Sequence, residues 1–293
     1  MRYAAIDVGS NAVRLLIADI TKSDKGYGFK KNTLVRVPLR LGDDAFLDQK
    51  LSEKKIDSLI KTMSAFKNLM DVYQVTHYLA CATSAMREAD NGKEVIKKIK
   101  KIANIDLEII EGEREANIIY ANHIEEKLAA NMSYLYIDVG GGSTELSVFV
   151  NQKLVASKSF NIGTIRILDN QDKEETWEEM RDWVKLNTKG LKQLAGIGTG
   201  GNINKLFRMS GEKEGLPLSF AKLNALYNEL NSYSLKERIT IMKLNQDRAD
   251  VIIPACEIYL TLMKWAGFKQ IYVPKVGMVD GIINLLIEEN LKD

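Results

Sequence analysis

The chain has 293 residues, of which 45% are hydrophobic, so its length and composition predict two domains with a core each. Its 41 Lys and Arg residues nearly balance its 39 Asp and Glu residues, giving a formal net charge of +2. This balance disfavours general nucleic-acid binding, so any anionic partner must be held by local groups.

The chain has too few cysteines and histidines for several common kinds of site. Cys81 and Cys256 both lie in apolar surroundings, which predicts reduced core thiols and a cytoplasmic protein. With His77 and His123 as its two histidines, neither a zinc site nor a Ser-His-Asp triad is expected. The chain enters its first strand directly, and no apolar run could span a bilayer, so neither a signal peptide nor a membrane span is expected.

A short polar turn follows the first predicted strand. The segment Ile6-Asp7-Val8-Gly9-Ser10-Asn11 comes after an apolar run and before a second strand over residues 13–20. A third strand is predicted over residues 26–37. The basic and apolar stretch that follows, residues 37–42, is expected to run into a polar loop.

Two helices, a strand and a further short helix are predicted next. An amphipathic pattern over residues 52–73 predicts a long helix. The strand over 77–81 runs into residues 82–89, whose small and hydroxyl side chains predict a short helix with an anion site at its start and Arg87 one turn in. The lysine-rich segment 94–103 predicts another helix, with its charges on a solvated face.

Three acidic residues surround the start of the next predicted helix. The segment Glu111-Gly112-Glu113-Arg114-Glu115-Ala116 follows a strand over 106–110 and leads into a helix that runs to about residue 127. Acids in this position complement the helix dipole, which is a purely structural explanation. However, the segment also follows a strand at the sheet edge where α/β proteins bind ligands, so a functional role is open beside it.

The strongest single pattern is the glycine-rich turn in residues 137–146. Asp138 ends an apolar strand, and Gly140-Gly141-Gly142 and Ser143 follow it. The glycines predict a turn with positive φ whose N–H groups converge on an anion. Asp138 is placed to face a cation or a water beside that anion. An ordinary hairpin turn is the structural alternative.

The second polar turn repeats the first at a distance of 131 positions, because both read strand, Asp-Val-Gly, small polar turn, strand. Repeats at this scale imply duplicated domains. We therefore expect a first domain over residues 1–127 and a second over 128–293, although the closing helix could pack back on the first. Two such turns predict a phosphate clamped in a cleft between the domains.

The second half also contains a third glycine turn. Gly198-Thr199-Gly200-Gly201 follows a predicted strand and precedes a helix, which suits a nucleotide-like site. The other predicted elements are a strand over 153–160, a turn over 163–166 that contains Arg166, a helix over 174–194, a loop over 208–217, a helix over 247–265, a strand over 270–273 and a closing helix.

In this order, the motifs resemble those of the exopolyphosphatase/guanosine pentaphosphate phosphohydrolase family, a branch of the actin/Hsp70/sugar-kinase superfamily. The resemblance covers nearly the whole chain. The segments that carry it are 7–11, 82–89, 112–116, 137–146, 163–166 and 248–252.

The resemblance implies an α/β fold of two actin-like (RNase H-like) domains, with mixed sheets flanked by helices and an active-site cleft between the domains. It implies an enzyme that releases the terminal phosphate from inorganic polyphosphate, or the 5′ γ-phosphate from pppGpp, with magnesium or manganese as cofactor. Polyphosphate or (p)ppGpp would be the partner, with no nucleic acid and no membrane, and a homodimer is left open. Longer relatives carry a helical C-terminal region, so a short form of the family is expected.

Carried over residue by residue, the resemblance assigns three kinds of role. Glu115 falls on the catalytic glutamate, which orients or deprotonates the attacking water. Asp138 and Glu145 match acids that act in catalysis and hold the metal, and Asp7 is a third expected metal ligand. The expected phosphate-binding residues are Ser10, Asn11, Arg87, Gly140, Gly141, Gly142, Ser143 and Arg166.

Three places depart from the family pattern. Arg114 replaces the first glutamate of the acidic motif, Ala12 replaces a serine or threonine, and Val279 and Asp280 replace an Arg-Glu pair. These departures support an alternative function, a non-catalytic sensor of polyphosphate or an alarmone. An ATP-dependent small-molecule kinase of the same superfamily is the other alternative, although the extended acidic turn argues against it.

Overall fold

The structure is a computed structural model that describes residues 1–24, 26–123, 129 and 131–291. It divides into two compact units: Met1–Asn122 with Val276–Asp293, and His123–Lys275. The predicted boundary between residues 127 and 128 lies outside the described residues. The helix that was predicted to run to about residue 127 ends at Tyr120, so that prediction of its extent was wrong.

The first unit is built on a mixed sheet. Its strands are β1 (Arg2–Val8), β2 (Val13–Ser23), β3 (Gly26–Val37), β4 (His77–Ala82) and β5 (Leu107–Ile109). They lie in the order β3-β2-β1-β4-β5, in which β1, β2 and β3 form an antiparallel meander while β4 and β5 run parallel to β1. The central strand β1 is buried on both faces, as its run of apolar residues predicts.

Helices flank this sheet. Those of the first unit are α1 (Leu41–Leu47), α2 (Glu53–Val72), α3 (Ser84–Glu88), α4 (Gly92–Ala103), α5 (Gly112–Tyr120) and the closing helix α13 (Met278–Asn290). The long amphipathic helix is confirmed, and the side chain of Ser52 caps it by accepting a hydrogen bond from Lys55 N. Its apolar stripe, which includes Ile56, Met63 and Phe66, is buried as predicted.

The closing helix α13 belongs to the first unit, where it packs against β1 and α5. A glycine is needed at position 281, because a Cβ there would overlap the carbonyl oxygen of Ile118. At the start of α13, Asp280 accepts a hydrogen bond from Gly277 N at 3.0 Å and pairs with Lys31 Nζ at 2.6 Å. Asp280, where the family pattern has a glutamate, thus caps its own helix and ties it to β3.

The second unit repeats the plan of the first. Its strands are β6 (Ser133–Val139), β7 (Thr144–Val150), β8 (Lys153–Phe160), β9 (Leu194–Thr199), β10 (Leu218–Ser219) and β11 (Gln270–Tyr272), in the order β10-β11-β9-β6-β7-β8. The strands β6, β7 and β8 form an antiparallel meander, and β9 and β11 continue the sheet in parallel. The predicted fold class, mixed sheets flanked by helices, is confirmed.

The helices of the second unit surround a core centred on one long apolar helix. They are α6 (Thr164–Leu168), α7 (Glu174–Thr188), α8 (Gly201–Met209), α9 (Phe220–Ser232), α10 (Leu235–Thr240), α11 (Gln246–Ala249) and α12 (Ile252–Ala266). α12 is the central one, and Tyr259 within it is fully buried. Among the residues described, no helix is both long and apolar enough to cross a membrane.

Three further sequence predictions about helices were wrong. The helix predicted over 247–265 is divided into α11 and α12, because Pro254 lies in the first turn of α12, where a missing N–H is tolerated. The helix predicted over 174–194 ends at Thr188, before Gly190 adopts a positive φ. The expected polar loop near residue 42 contains α1, which Leu41 and Phe46 anchor in the core.

We predict that Gly281→Ala destabilises the protein, because the added methyl group would push α13 off the backbone of α5. Overpacking of this kind should lower Tm by about 2–10 °C. Gly28→Ala is the matched control, since a Cβ at Gly28 meets no atom within 4 Å. Thermal denaturation of both variants would test this, and an equal Tm for the two would contradict the packing of α13 on α5.

Candidate functional site

Each of the two polar turns contains an equivalent backbone hydrogen bond. Gly9 N donates to Ala12 O at 3.2 Å in the first unit, and Gly140 N donates to Ser143 O at 2.9 Å in the second. These residues occupy equivalent places in the two copies of the repeat. The duplication that the sequence predicts therefore extends to the geometry of the turns.

The glycine triplet does not have the conformation that the sequence predicted. None of Gly140, Gly141 and Gly142 has a positive φ, so that prediction was wrong. Close packing shapes the turn instead, because a Cβ at Gly163 would overlap the carbonyl oxygen of Gly141. The conformation of the turn is therefore set by its packing against the segment that leads into α6.

The carbonyl groups of this turn are all held on one side. Thr164 N donates to Gly140 O at 3.1 Å, and Ile165 N donates to Gly141 O at 2.8 Å. The buried guanidinium of Arg166 donates from Nε to Gly142 O at 2.6 Å. Arg166, an expected phosphate-binding residue, thus braces the turn from the α6 side.

Holding the carbonyls on one side directs the N–H groups to the other, since the C=O and N–H of a trans peptide point in opposite directions. The N–H groups concerned are those of Gly141, Gly142 and Ser143, which we call the anion nest. Within the described part of the chain they donate to no acceptor. Three converging N–H groups of this kind suit a phosphate.

A row of polar side chains crosses the second sheet beside the nest. Strand register places Asp138 opposite Glu145 on one side and opposite Thr199 on the other, and Glu145 opposite Ser159. Residues in direct register share a face of the sheet. Glu145 is buried and accepts a hydrogen bond from Ser159 Oγ at 2.9 Å. Two carboxylates therefore lie side by side at the strand ends.

The third glycine turn packs against Asp138 of this row. Gly200 has φ 92°, and a Cβ there would lie 2.7 Å from Asp138 Oδ1, so both conformation and space require glycine. Tyr259 donates its hydroxyl to Thr199 O at 2.9 Å. Burial raises the pKa of Tyr259 well above its usual value, and the nearby charge of Asp138 adds to this, so the hydroxyl stays protonated. Arg248 donates to Gly201 O and holds the start of α8.

The residues of this row fit a hard divalent cation. The described residues contain no group of three or more His, Cys, Asp or Glu that could hold a metal ion, and the two acids of this row are Asp138 and Glu145. Magnesium is commonly held by one or two carboxylates, with water and substrate phosphate completing its shell. The hydroxyl of Thr199 is fully buried and has no hydrogen-bond partner among the described residues, which adds a further oxygen beside Asp138.

The equivalent row in the first unit carries the opposite charge. Register places Asp7 opposite Arg14, Arg14 opposite Arg36, and Asp7 opposite Cys81. Arg14 Nη1 donates to Asp7 Oδ2 at 2.5 Å, so the carboxylate of Asp7 is already neutralised. Any metal at Asp7 would have to compete with this guanidinium. Arg14 stands at the position that Glu145 occupies in the second copy.

The acidic turn and the predicted anion helix are tied together in the first unit. Arg87 Nη1 donates to Ile110 O at 2.6 Å, and Arg87 Nε lies 3.7 Å from the carboxylate of Glu111. Glu115 lies in the first turn of α5 and is partly buried. The hydroxyl of Ser10 lies 2.8 Å from that of Ser84 at the start of α3. Three parallel strands of the first sheet end at one edge. Arg87 follows β4, Ser10 follows β1 and the acidic turn follows β5 at that edge.

These features define a protein of two related units with mixed sheets, each with a polar turn at the end of its central strand. The chain belongs to the Ppx/GppA phosphatase family, whose model matches residues 20–289. The family resemblance, the fold and the phosphatase class that the sequence predicted are thus confirmed. Phosphatases of this family are generally metal-dependent.

Individual relatives are similar over different shares of the chain. Exopolyphosphatase 1 of Mycobacterium bovis is 24% identical, over 97% of this chain and 87% of that protein. The crystal structure of an exopolyphosphatase from Cytophaga hutchinsonii is 25% identical with a TM-score of 0.82, and the match covers 99% of this chain and 98% of that one. A bifunctional 3-dehydroquinate synthase/phosphatase of Fusobacterium nucleatum is 32% identical over 65% of this chain, and the matched region covers 31% of the length of that protein.

Sequence reasoning missed the residues that support the site. Ser159, Tyr259 and Arg14 were not singled out, although each contacts a predicted site residue or its strand. Arg14 and Ser159 could have been found by pairing the strands of each hairpin in register. Tyr259 carried no such signal, because it is one apolar-flanked residue in a long buried helix.

We predict that Gly163→Ala disturbs the anion nest, because the methyl group would displace the carbonyl of Gly141. Added phosphate should raise the Tm of the wild-type protein by binding the folded state. That shift should largely vanish in Gly163→Ala and persist in the Gly28→Ala control. A phosphate-dependent Tm shift that is unchanged in Gly163→Ala would place the anion elsewhere.

Proposed function

We propose that the protein hydrolyses a terminal phosphoanhydride bond, releasing orthophosphate from inorganic polyphosphate. The observation that carries this proposal is the anion nest beside the paired carboxylates Asp138 and Glu145. A phosphate on the nest would have three N–H donors on one side and a cation-binding pair next to it. Its family membership and its likeness to named exopolyphosphatases support the same reaction.

The roles of the residues follow from the chemistry of phosphoryl transfer, which depends on positioning and on charge neutralisation. The nest holds the terminal phosphate and stabilises the negative charge that develops on its oxygens. Asp138 and Glu145 would hold magnesium, which when bound neutralises the phosphate oxygens and makes the leaving group less basic. Ser159 fixes the carboxylate of Glu145 by its hydrogen bond.

Glu115 is proposed as the general base that orients the attacking water and accepts its proton. Its carboxylate lies in the first turn of α5, where the positive end of the helix dipole suits an acidic side chain. Arg87 is proposed to contact substrate phosphate while it holds the acidic turn through Ile110. Ser10 and Asn11 of the first turn are proposed as further phosphate contacts.

The 5′ γ-phosphate of pppGpp is the second proposed substrate, because its terminal phosphoanhydride is chemically the same group. We also propose that the protein acts in the cytoplasm, where its buried free thiols Cys81 and Cys256 remain reduced. Phosphate release measured with malachite green on polyphosphate, on pppGpp and on ATP with glucose tests the proposal. Release from neither of the first two would favour a sensor, and glucose-dependent consumption of ATP would favour a kinase.

We predict that Glu115→Gln abolishes hydrolysis while substrate binding stays nearly intact. The amide keeps the shape but cannot accept the proton, and loss of a general base typically costs about 10²–10⁴ in rate. Turnover and polyphosphate binding should be measured side by side. Glu113→Gln, an exposed neighbour in the same helical turn, is the control. Equal loss of binding and turnover in Glu115→Gln would make Glu115 a structural residue.

We predict that Asp138→Asn raises the magnesium concentration needed for half-maximal activity. The rise should be at least about 10-fold, a loss that substitution of even the outer-shell partners of metal ligands can produce. Asp182→Asn removes an exposed carboxylate of the same unit and should leave the magnesium requirement unchanged. An Asp138→Asn enzyme with the wild-type requirement would remove Asp138 from the metal site.

A further inference from the structure

Helix α4 carries a concentration of positive charge that the reaction described above does not use. Its twelve residues include five lysines and one glutamate. Lys93, Lys97 and Lys101 are exposed and recur every four residues, so they lie along one side of the helix. At 1.5 Å of rise per residue they extend over about 12 Å. We call these three residues the lysine track.

The track differs from its neighbours in having no acidic partner. Lys98 pairs with Glu94 at 3.4 Å and lies 3.8 Å from Glu53, and Lys100 pairs with Asp106 at 2.6 Å. Across the part of the chain that the structure describes, none of the three track lysines forms an ion pair. Ordinary solvated helix faces mix both charge signs, whereas this stripe is a run of unneutralised cations.

A surface pocket of about 670 Å³ opens beside the far end of the track. Lys97 and Lys101 line it, together with Lys100, and strands β4 and β5 form its opposite wall. Two acids, Asp106 and Glu108, also line it, and Lys100 pairs with Asp106 at 2.6 Å. Three lysines against two acids leave the lining with a net positive charge. Such a concave cationic surface attracts anions more strongly than a flat one does.

The near end of the track begins beside the proposed substrate contact Arg87. Helix α3 packs directly on the start of α4, since a Cβ at Gly92 would overlap the carbonyl oxygen of Met86. Arg87 is the next residue of α3, and Lys93 is the next residue of α4 after Gly92. The track therefore begins at the end of α4 that packs on α3, the helix that carries Arg87, and both lie within the first unit.

A line of cations that starts near a proposed phosphate contact suits a linear polyanion. We propose that the lysine track binds the distal part of a polyphosphate chain whose terminal phosphate is being cleaved. This inference rests on the proposed function and adds a second binding site to it. Polyphosphate carries charge on every unit along its length, so a long chain that is held at its terminus has many further units to contact successive lysines, whereas tripolyphosphate has only two units beyond the terminal one.

The test compares long and short substrates in a charge variant. Lys93→Gln, Lys97→Gln and Lys101→Gln combined should weaken binding of long-chain polyphosphate by about 10-fold or more at low salt. The slope of log affinity against log salt should become shallower by about 2 to 3. kcat and KM for tripolyphosphate should not change, because the cleavage site is untouched. The matched control combines Lys185→Gln, Lys189→Gln and Lys192→Gln, three exposed lysines of the second unit.

Long-chain affinity that is the same in the track variant and the wild type would overturn the proposal. Equal weakening in the control variant would also overturn it, since the effect would then reflect net charge alone. Wild-type binding of single-stranded RNA with equal affinity, lost in the same variant, would reassign the track to nucleic acid. Direct binding needs no turnover, so an enzyme that binds long chains through the track but releases no phosphate would refute the proposed function and not the track.

Discussion

Hydrogen bonds from the start of α6 hold the glycine-rich turn of the second unit, and its proposed chemistry depends on them. They come from the backbone N–H groups of Thr164, Ile165 and Arg166 and from the buried guanidinium of Arg166. Each fixes a carbonyl oxygen, and by doing so each leaves an N–H group directed away from α6. Preorganised donors of this kind need no rearrangement when charge develops on a bound phosphate. The position of α6 is thus a chemical requirement as well as a packing one.

The two copies of the repeat keep one backbone geometry but differ in charge. Asp7 and Asp138 are equivalent, yet the facing residue is Arg14 in the first unit and Glu145 in the second. One copy therefore places a neutralised carboxylate beside further arginine, and the other presents a pair of acids. Two differences in register, Arg14 in place of Glu145 and Arg36 in place of Ser159, separate the cationic row from the anionic one, with the strand pairing unchanged.

Much of this fold could be predicted from the sequence, because strand and helix periodicity is local information. The bounds of β3 and β8, the face of α2 and the repeat of the turns were all read correctly. The conformation of Gly140 to Gly142 was not, because it depends on Gly163, which lies far along the chain and in a different turn. The separation of α11 from α12 failed for a related reason, since the apolar periodicity continues through the break.

The sequence suggested only residues that are proposed to act directly. Asp138 stands out as a polar residue at a strand end, whereas the roles of Glu145 and Glu115 came from the family resemblance. Ser159 and Tyr259 act on those residues through contacts made by strand pairing and helix packing. No local pattern encodes such contacts, so they become visible only once the chain is folded.

The placement of α13 has a consequence for how the protein is made. The first unit begins at residue 1, yet the helix that packs on its central strand is encoded after residue 275. During synthesis, β1 therefore leaves the ribosome long before the helix that covers it. The second unit is continuous in sequence and can fold as soon as it emerges, since domains generally fold as units. The unit whose translation begins first is thus completed last, and its sheet needs protection from other chains until α13 has been translated.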